Sequence, residues 1–227
     1  MLPAAVEKPD WAHIDTVLLD LDGTLLDLAF DNHFWLEIVP AAYAAARSTS
    51  IEAARTEIAP LFRAREGTLP WYCIEHWTRE LDLDIEALKR ANTQRIAWLP
   101  GAREFLLRLR AAGKRVVLLT NSHPQVLRIK DEKTGVLGYF DAAFTSHEFG
   151  VPKEVAQFWE AVRAVEPFDA QRSLFADDSP AVLRAAQAAG IRWIYGVRRP
   201  DSVQTVREHL SVAAIDAVSE LVCGSAP

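Results

Sequence analysis

Cysteine is nearly absent. The 227 residues hold only Cys73 and Cys223, far apart in the chain, so neither a disulfide framework nor a cysteine metal cluster is written in the sequence. No apolar run is long enough to span a bilayer, and the opening MLPAAVEKPDW has neither a basic leader nor an apolar stretch of signal-peptide length. These absences predict a cytoplasmic chain with no membrane partner. Positive charge is not in excess either. A net charge of −6 works against an extended nucleic-acid backbone as partner, while a small charged substrate held by a local field stays compatible with it. Internal repeats and low-complexity tracts are missing as well. What is present is an ordinary globular composition, half hydrophobic by count, with enough chain for one large domain or one domain plus an insert.

Four apolar runs read as fully buried strands: TVLLDL from Thr16, RVVLLT from Arg115, SLFADD from Ser173 and RWIYGV from Arg192. A weaker fifth, DAAFTS, begins at Asp141. Helical patterns lie between them, which predicts crossover connections and a parallel α/β sheet. In PGAREFLLRLRAAGK, Pro100 stands near the helix start, Phe105, Leu106 and Leu109 share a face, and Gly113 suits the C-terminal cap. In DSPAVLRAAQAAGI, Ser179 is placed to cap the helix, Pro180 fits its first turn and Gly190 ends it. From about Leu28 to Ala97 the alternation stops. That stretch has several helical patterns and no convincing buried strand, and predicts a helical module of roughly 70 residues spliced after the first strand. The terminal GSAP is expected to fray.

In an open parallel sheet, ligands bind where strands end at their carboxyl edge. The first run ends in Asp20, Asp22 and Thr24, the RVVLLT run in Thr120 and Asn121, and the SLFADD run in Asp177, Asp178 and Ser179, while Lys153 follows the turn EFGVPK. Taken singly, each piece has a plainer reading. D-x-D-G-T is a turn signal, DDSP a helix start, Thr120-Asn121-Ser122 a helix cap and Lys153 a solvated first-turn residue. Those readings do not explain why all four occur in order, each near the end of its own strand. Carboxylates gathered at one edge would repel unless a cation sat among them. That cation is most simply Mg²⁺, since the donors are all oxygen and no cysteine or paired-histidine pattern points to zinc.

With these pieces in order, the chain resembles the haloacid dehalogenase-like hydrolase superfamily. The resemblance implies a Rossmann-like core over residues 1–27 and 98–227, with residues 28–97 as an inserted α-helical cap of the C1 type. It further implies that Asp20 is the nucleophile that forms an aspartyl-phosphate and that Asp22 is the acid and base. Thr120, the amide of Asn121 and Lys153 would hold the phosphate. Asp20, Asp22 through its carbonyl, Asp177 and Asp178 would surround Mg²⁺. The second aspartate, Asp22, argues against dehalogenation, because a departing halide needs no acid. No lysine between Leu25 and Arg47 points to phosphonate cleavage. The wording DTVLLDLDGTLLDLAFDNHFWLEIVP, WYCIEHWTRELDLDI, LLTNSHP and FGVPKE is similar to the bacterial GMP/IMP nucleotidase subgroup, which implies a purine 5′-monophosphate as the small-molecule substrate. Alternatives are a small-metabolite phosphatase or phosphomutase acting on phosphosugars or phosphoglycolate, and a binding protein that has lost turnover.

The aromatic residues leave two readings open. Trp35, Trp71, Trp77 and Trp98, with Phe34, Tyr72, His33 and His76, provide either a surface on which a base stacks or the core of the helical module. Asn32 and His33, which lie closer in sequence to the first motif than the rest of these aromatic residues, are the candidate substrate contacts from the insert. His123 and His147 are expected to be a helix-start residue and a loop contact.

Overall fold

The computed structural model describes residues 8–207 and 211–222; the first seven residues, Cys223 and the terminal GSAP, on which part of the leader expectation and all of the fraying expectation fall, lie outside them. Thr16–Leu19 forms strand β1, and none of its residues is more than 7 % exposed. Successive side chains of a strand point to opposite faces. Val17 and Leu19 pack with Leu106 and Leu109 of the helix Ala102–Ala111, whereas Leu18 packs with Val162 and Leu183 of the helices Ala156–Val165 and Pro180–Ala188. Burying each such aliphatic side chain is worth about 1.5–3 kcal/mol, so covering both faces pins the strand firmly.

The remaining strands are β2 (Arg115–Thr120), β3 (Ala142–Thr145), β4 (Ser173–Asp177), β5 (Trp193–Val197) and β6 (Ala213–Ile215). They lie in the order β3-β2-β1-β4-β5-β6, and every pair is parallel. The result is the doubly wound, Rossmann-like α/β sheet that the alternating pattern predicts. The five expected strands are all there. The sixth, β6, was not foreseen, because Ala213-Ala214-Ile215 is too short and small-sided to stand out from a loop. A second difference concerns Ser179: it occupies the N-cap position, but its side chain makes no capping bond, and its N–H instead donates to Asp177 Oδ1 at 2.7 Å.

Between β1 and β2 the described elements are all helical. Ahead of a 3₁₀ turn over Thr93–Arg95 and the sheet-packing helix Ala102–Ala111, they run Ala29–His33, a wide π turn over Phe34–Ile38, Val39–Arg47, Ile51–Arg63, Leu69–Tyr72, Ile74–Leu81 and Ile85–Arg90. The π turn stands just ahead of Pro40, which has no N–H to continue a regular ladder. These helices share a core of their own: Phe34, Val39, Ile58, Trp77, Leu81 and Ile85 are buried together, with Val126 reaching in from the sheet layer. The chain leaves and returns side by side, since Asp27 N–H donates to the Ala97 carbonyl at 2.9 Å and Leu99 N–H to the Leu25 carbonyl at 2.9 Å.

Candidate active site at the carboxyl edge of the sheet

Strand order reverses at β1, with β2 on one side and β4 on the other, and this is where an open α/β sheet leaves a crevice. Register decides what meets there. Leu19 pairs with Leu118 and with Ala176, so Asp20 leaves β1 level with the end of β4, and its N–H donates to the Ala176 carbonyl at 3.0 Å. Carboxylate oxygens of Asp20, Asp177 and Asp178 consequently lie within 4.8 Å of one another. Lys153 Nζ reaches into the group and donates to Asp20 Oδ1 at 2.5 Å, to Asp177 Oδ2 at 2.7 Å and to the Leu119 carbonyl at 3.0 Å. Asn121 fixes this lysine from the side: its Oδ1 accepts from the Lys153 N–H at 2.9 Å and its Nδ2 donates to Glu154. Thr120 is buried, and its hydroxyl accepts from the Ser122 N–H at 3.0 Å.

Closeness and burial set the electrostatics. Burial, with the neighbouring Asp177 and Asp22, pushes the Asp20 carboxyl up to about 7 against the pull of Lys153. Asp178 is likewise raised to about 7, by burial and Asp20, and Asp177 to about 6, by burial and Asp178. Burial acts against the charge on Lys153, but Asp177 and Asp20 outweigh it and raise the ammonium above its usual range. Burial and mutual repulsion thus favour the protonated forms of the three carboxyls, and a cation held among them would favour the ionised ones. An all-oxygen acidic triad fits a hard divalent ion and not a thiophilic one.

The turn that follows Asp22 depends on glycine. Gly23 has φ +85°, and a Cβ there would sit 2.7 Å from Asp178 Cγ and 2.8 Å from Pro200 Cβ. Only a residue without a side chain lets the turn after Asp22 lie against the Asp178 loop.

A second charged layer was not visible in the motifs. Lys130 lies 2.6 Å from Asp22 Oδ1 and 2.6 Å from Asp31 Oδ2, and Lys89 donates to Asp31 Oδ1 at 2.8 Å. Both lysine side chains are 2 % exposed. Burial raises the Asp22 carboxyl, opposed by Lys130 and reinforced by Asp31. Asp31 shows the reverse balance, because the attraction of Lys130 and Lys89 overcomes its burial and holds it well below the usual range. The insert thus brings a lysine, Lys89, to the cavity wall although none stands between Leu25 and Arg47. A sequence signal did exist. Lys89 follows the buried Ile85, and Lys130 the buried Val126, by four residues, so each lysine falls on the inward stripe of its helix, where an unpaired charge is not tolerated. Arg207 was also missed; its Nη1 donates to the carbonyl and to Oδ2 of Asp178, both at 2.8 Å.

These groups open into a cavity of about 480 Å³ roofed by the insert. Asp20, Asp22, Thr120, Asn121, Lys153, Asp177 and Asp178 all line it, as does Asn32, whose Nδ2 donates to Asp201 at 2.6 Å. His33 does not line the cavity. It is next along the same helix, and a rotation of about 100° per residue turns it to another side. The aromatic question resolves toward packing that doubles as a wall. Trp77 and Phe34 are buried in an edge-to-face group with Trp35, Phe62 and Trp71, and Trp35, Phe62, Trp71 and Tyr72 also face the cavity. Trp98 stands apart, packed edge-on to Tyr139. Among the described residues no helix is long and apolar enough to cross a membrane.

Comparison with known proteins agrees with this geometry. The chain is 43 % identical over 192 residues to the GMP/IMP nucleotidase YrfG of Escherichia coli (strain K12), covering 85 % of this chain and 86 % of that protein. It is 28 % identical over 224 residues to the enolase-phosphatase E1 of Gluconacetobacter diazotrophicus, covering 91 % and 93 %. Its fold superimposes on the crystal structure of a HAD phosphatase from Thermococcus onnurineus with a TM-score of 0.76 at 21 % identity, over 92 % of this chain and 96 % of that one. The model of the haloacid dehalogenase-like hydrolases matches residues 14–190, so the chain belongs to that hydrolase family.

Proposed function

We propose that the chain is a Mg²⁺-dependent phosphomonoesterase that acts through an aspartyl-phosphate and hydrolyses purine 5′-mononucleotides, GMP and IMP, to nucleoside and orthophosphate. The observation that carries the chemistry is the Asp20–Asp177–Asp178 triad, braced by Lys153 and opening into the cavity. The substrate reading is supported by the nucleotidase relative and by the aromatic wall of Trp35, Phe62 and Trp71, a surface suited to a planar base.

In this reading Asp20, Asp177, Asp178 and the carbonyl of Asp22 would hold Mg²⁺. When bound, the ion supplies positive charge that neutralises the triad and the phosphate oxygens. A carboxylate oxygen of Asp20 attacks phosphorus as the ester P–O bond breaks, and Asp22 gives its proton to the leaving oxygen. Water then attacks the phosphorus of the aspartyl-phosphate, Asp22 takes up the water proton, and orthophosphate leaves with Asp20 regenerated. Burial raises the Asp22 carboxyl against the pull of Lys130, which suits the first of these duties, because a carboxyl that gives up its proton less readily is better placed to act as an acid. Lys153, Thr120 and the Asn121 amide are suited to hold the phosphate oxygens. Residues 28–97 act as the cap, excluding water from the cavity and presenting Asn32 to the leaving group.

A small-metabolite phosphatase is the second reading, favoured by the enolase-phosphatase relative. Orthophosphate release from GMP, IMP, AMP, glucose phosphates and phosphoglycolate, with EDTA and Asp20→Asn as controls, separates the two. GMP and IMP are expected to give the highest kcat/KM. If the sugars match them, the nucleotidase reading is lost, and if no ester is hydrolysed the phosphatase reading goes with it.

A further inference from the structure

The two cysteines are too far apart in sequence to suggest a metal cluster, yet the fold supplies one of them with different partners. Cys73 immediately precedes the insert helix Ile74–Leu81, His123 immediately precedes the helix Pro124–Thr134, and His147 lies in the short helix Ser146–Phe149 after β3. One ligand atom from each lies within 4.8 Å of the others. Glu75 adjoins two of the three: its Oε2 is 3.4 Å from Cys73 Sγ and 2.8 Å from His123 Nε2. We propose that Cys73, His123, His147 and Glu75 form a second metal site, which takes a thiophilic divalent ion of the zinc class and ties the insert to the sheet layer.

The donor chemistry differs in kind from that of the acidic triad. A thiolate, a carboxylate and two neutral imidazoles carry two negative charges, which a zinc-class ion neutralises with tetrahedral ligands of the type it prefers. Glu75 already draws the thiol and one imidazole toward a single point, so the ion would take the place of the protons that now bridge them. His147 supplies the independent observation. Both of its ring nitrogens are buried without a hydrogen-bond partner, an unfavourable state for a buried polar group that a metal bond would relieve. The two rings meet edge to face with centroids 4.6 Å apart. Burial depresses both histidines, His147 to about 4 with help from His123, so they are present as the unprotonated form that binds metal. Metal at His123 Nε2 would shift that ring's proton to Nδ1, giving up only the long 3.3 Å contact from the Gln125 N–H. Half-exposed Glu75 and partly exposed Cys73 leave the ion a way in.

The consequence would be mechanical as well as chemical. His123 stands two residues beyond Asn121, and Cys73 follows Tyr72, whose hydroxyl donates to Glu154 at 2.6 Å beside that same asparagine. An ion held here would fasten the insert next to the phosphate-binding loop.

The test is titration of the metal-stripped full chain with Co²⁺ in the presence of excess Mg²⁺. Wild type and Asp20→Asn are both expected to show a thiolate-to-cobalt charge-transfer band and intense tetrahedral visible bands, which Zn²⁺ then abolishes. Cys73→Ser and His147→Gln, checked for folding by circular dichroism, are expected to lose the charge-transfer band or the tetrahedral visible bands respectively, and Cys223→Ser to keep both. Absence of a charge-transfer band in wild type overturns the site, as does a band that survives Cys73→Ser but disappears in Cys223→Ser. Because Asp20→Asn removes the hydrolytic reading and leaves this spectrum untouched, failure of one is distinguishable from failure of the other.

Discussion

Gly23 and Lys130 hold the acidic loops in place, one by having no side chain and the other by supplying a buried charge. In Gly23→Ala the added methyl must displace Asp178 or Pro200, and φ +85° is strained for alanine. The expected loss is about 1–3 kcal/mol in urea unfolding, together with weaker Mg²⁺ binding by calorimetry; unchanged Mg²⁺ affinity would show that the Asp178 loop does not depend on that contact. Lys130→Met leaves Asp22 facing Asp31 without the cation between them. Stability should fall by about 3–5 kcal/mol, the range for breaking a buried ion pair, and kcat for GMP should fall more than KM rises, since the disturbed group is the proposed acid. Asp22→Asn should lower kcat by about 10²–10⁴-fold, the usual contribution of a positioned acid or base. A smaller effect on 4-nitrophenyl phosphate than on GMP in the phosphorylation step would fit that role, because its leaving group needs little protonation. Asp20, Asp22, Lys153 and Asp177 were legible from residue type and order. Lys130 and Asp31 were not, because they belong to no strand end and matter only through what they touch.

The strands and the insert helices draw their stability from separate sources. β1 is fixed by aliphatic packing on both faces, whereas the helices between Ala29 and Arg90 gather around Trp77. Trp77→Ala should cost about 3–5 kcal/mol by thermal or urea unfolding, and should melt the insert at lower denaturant than the sheet. Coincident transitions by tryptophan fluorescence and far-ultraviolet circular dichroism would instead mean that the two layers unfold as one unit. Trp71, partly exposed on the cavity wall, offers the contrasting case. Trp71→Leu is expected to raise KM for GMP about tenfold, within the range for loss of one base-stacking contact, and to leave KM for a glucose phosphate nearly unchanged; equal changes for both would count against stacking. Strand and helix identities followed from runs and periodicity. The face each aromatic presents did not, because helical spacing alone gives a stripe without saying what lies against it.

Across the whole molecule, the clustered carboxylates couple stability to pH and to metal. Asp20 and Asp178 are raised to about 7 and Asp177 to about 6, all above the unfolded value of 3.8. Between these limits the native metal-free chain binds more protons than the unfolded chain, so its stability is greatest below about pH 4 as far as these groups are concerned and falls as pH rises toward 7. Mg²⁺ competes with the same protons. The rise in Tm on adding Mg²⁺ should therefore be larger at about pH 8 than at about pH 5; an equal rise at both would mean that these carboxylates are not where the ion binds. Local pattern by itself determined the parallel α/β sheet, the helical stretch inserted after β1 and the strand-end residues Asp20, Thr120 and Asp177, because buried runs and the carboxyl-edge rule are properties of neighbouring residues. Tertiary structure alone decided the rest: that Lys89 and Lys130 converge on Asp31, that His33 turns from the cavity while Asn32 lines it, and that Cys73 finds two histidines. Those pairings join distant segments, and only the burial of one layer against another selects which of them meet.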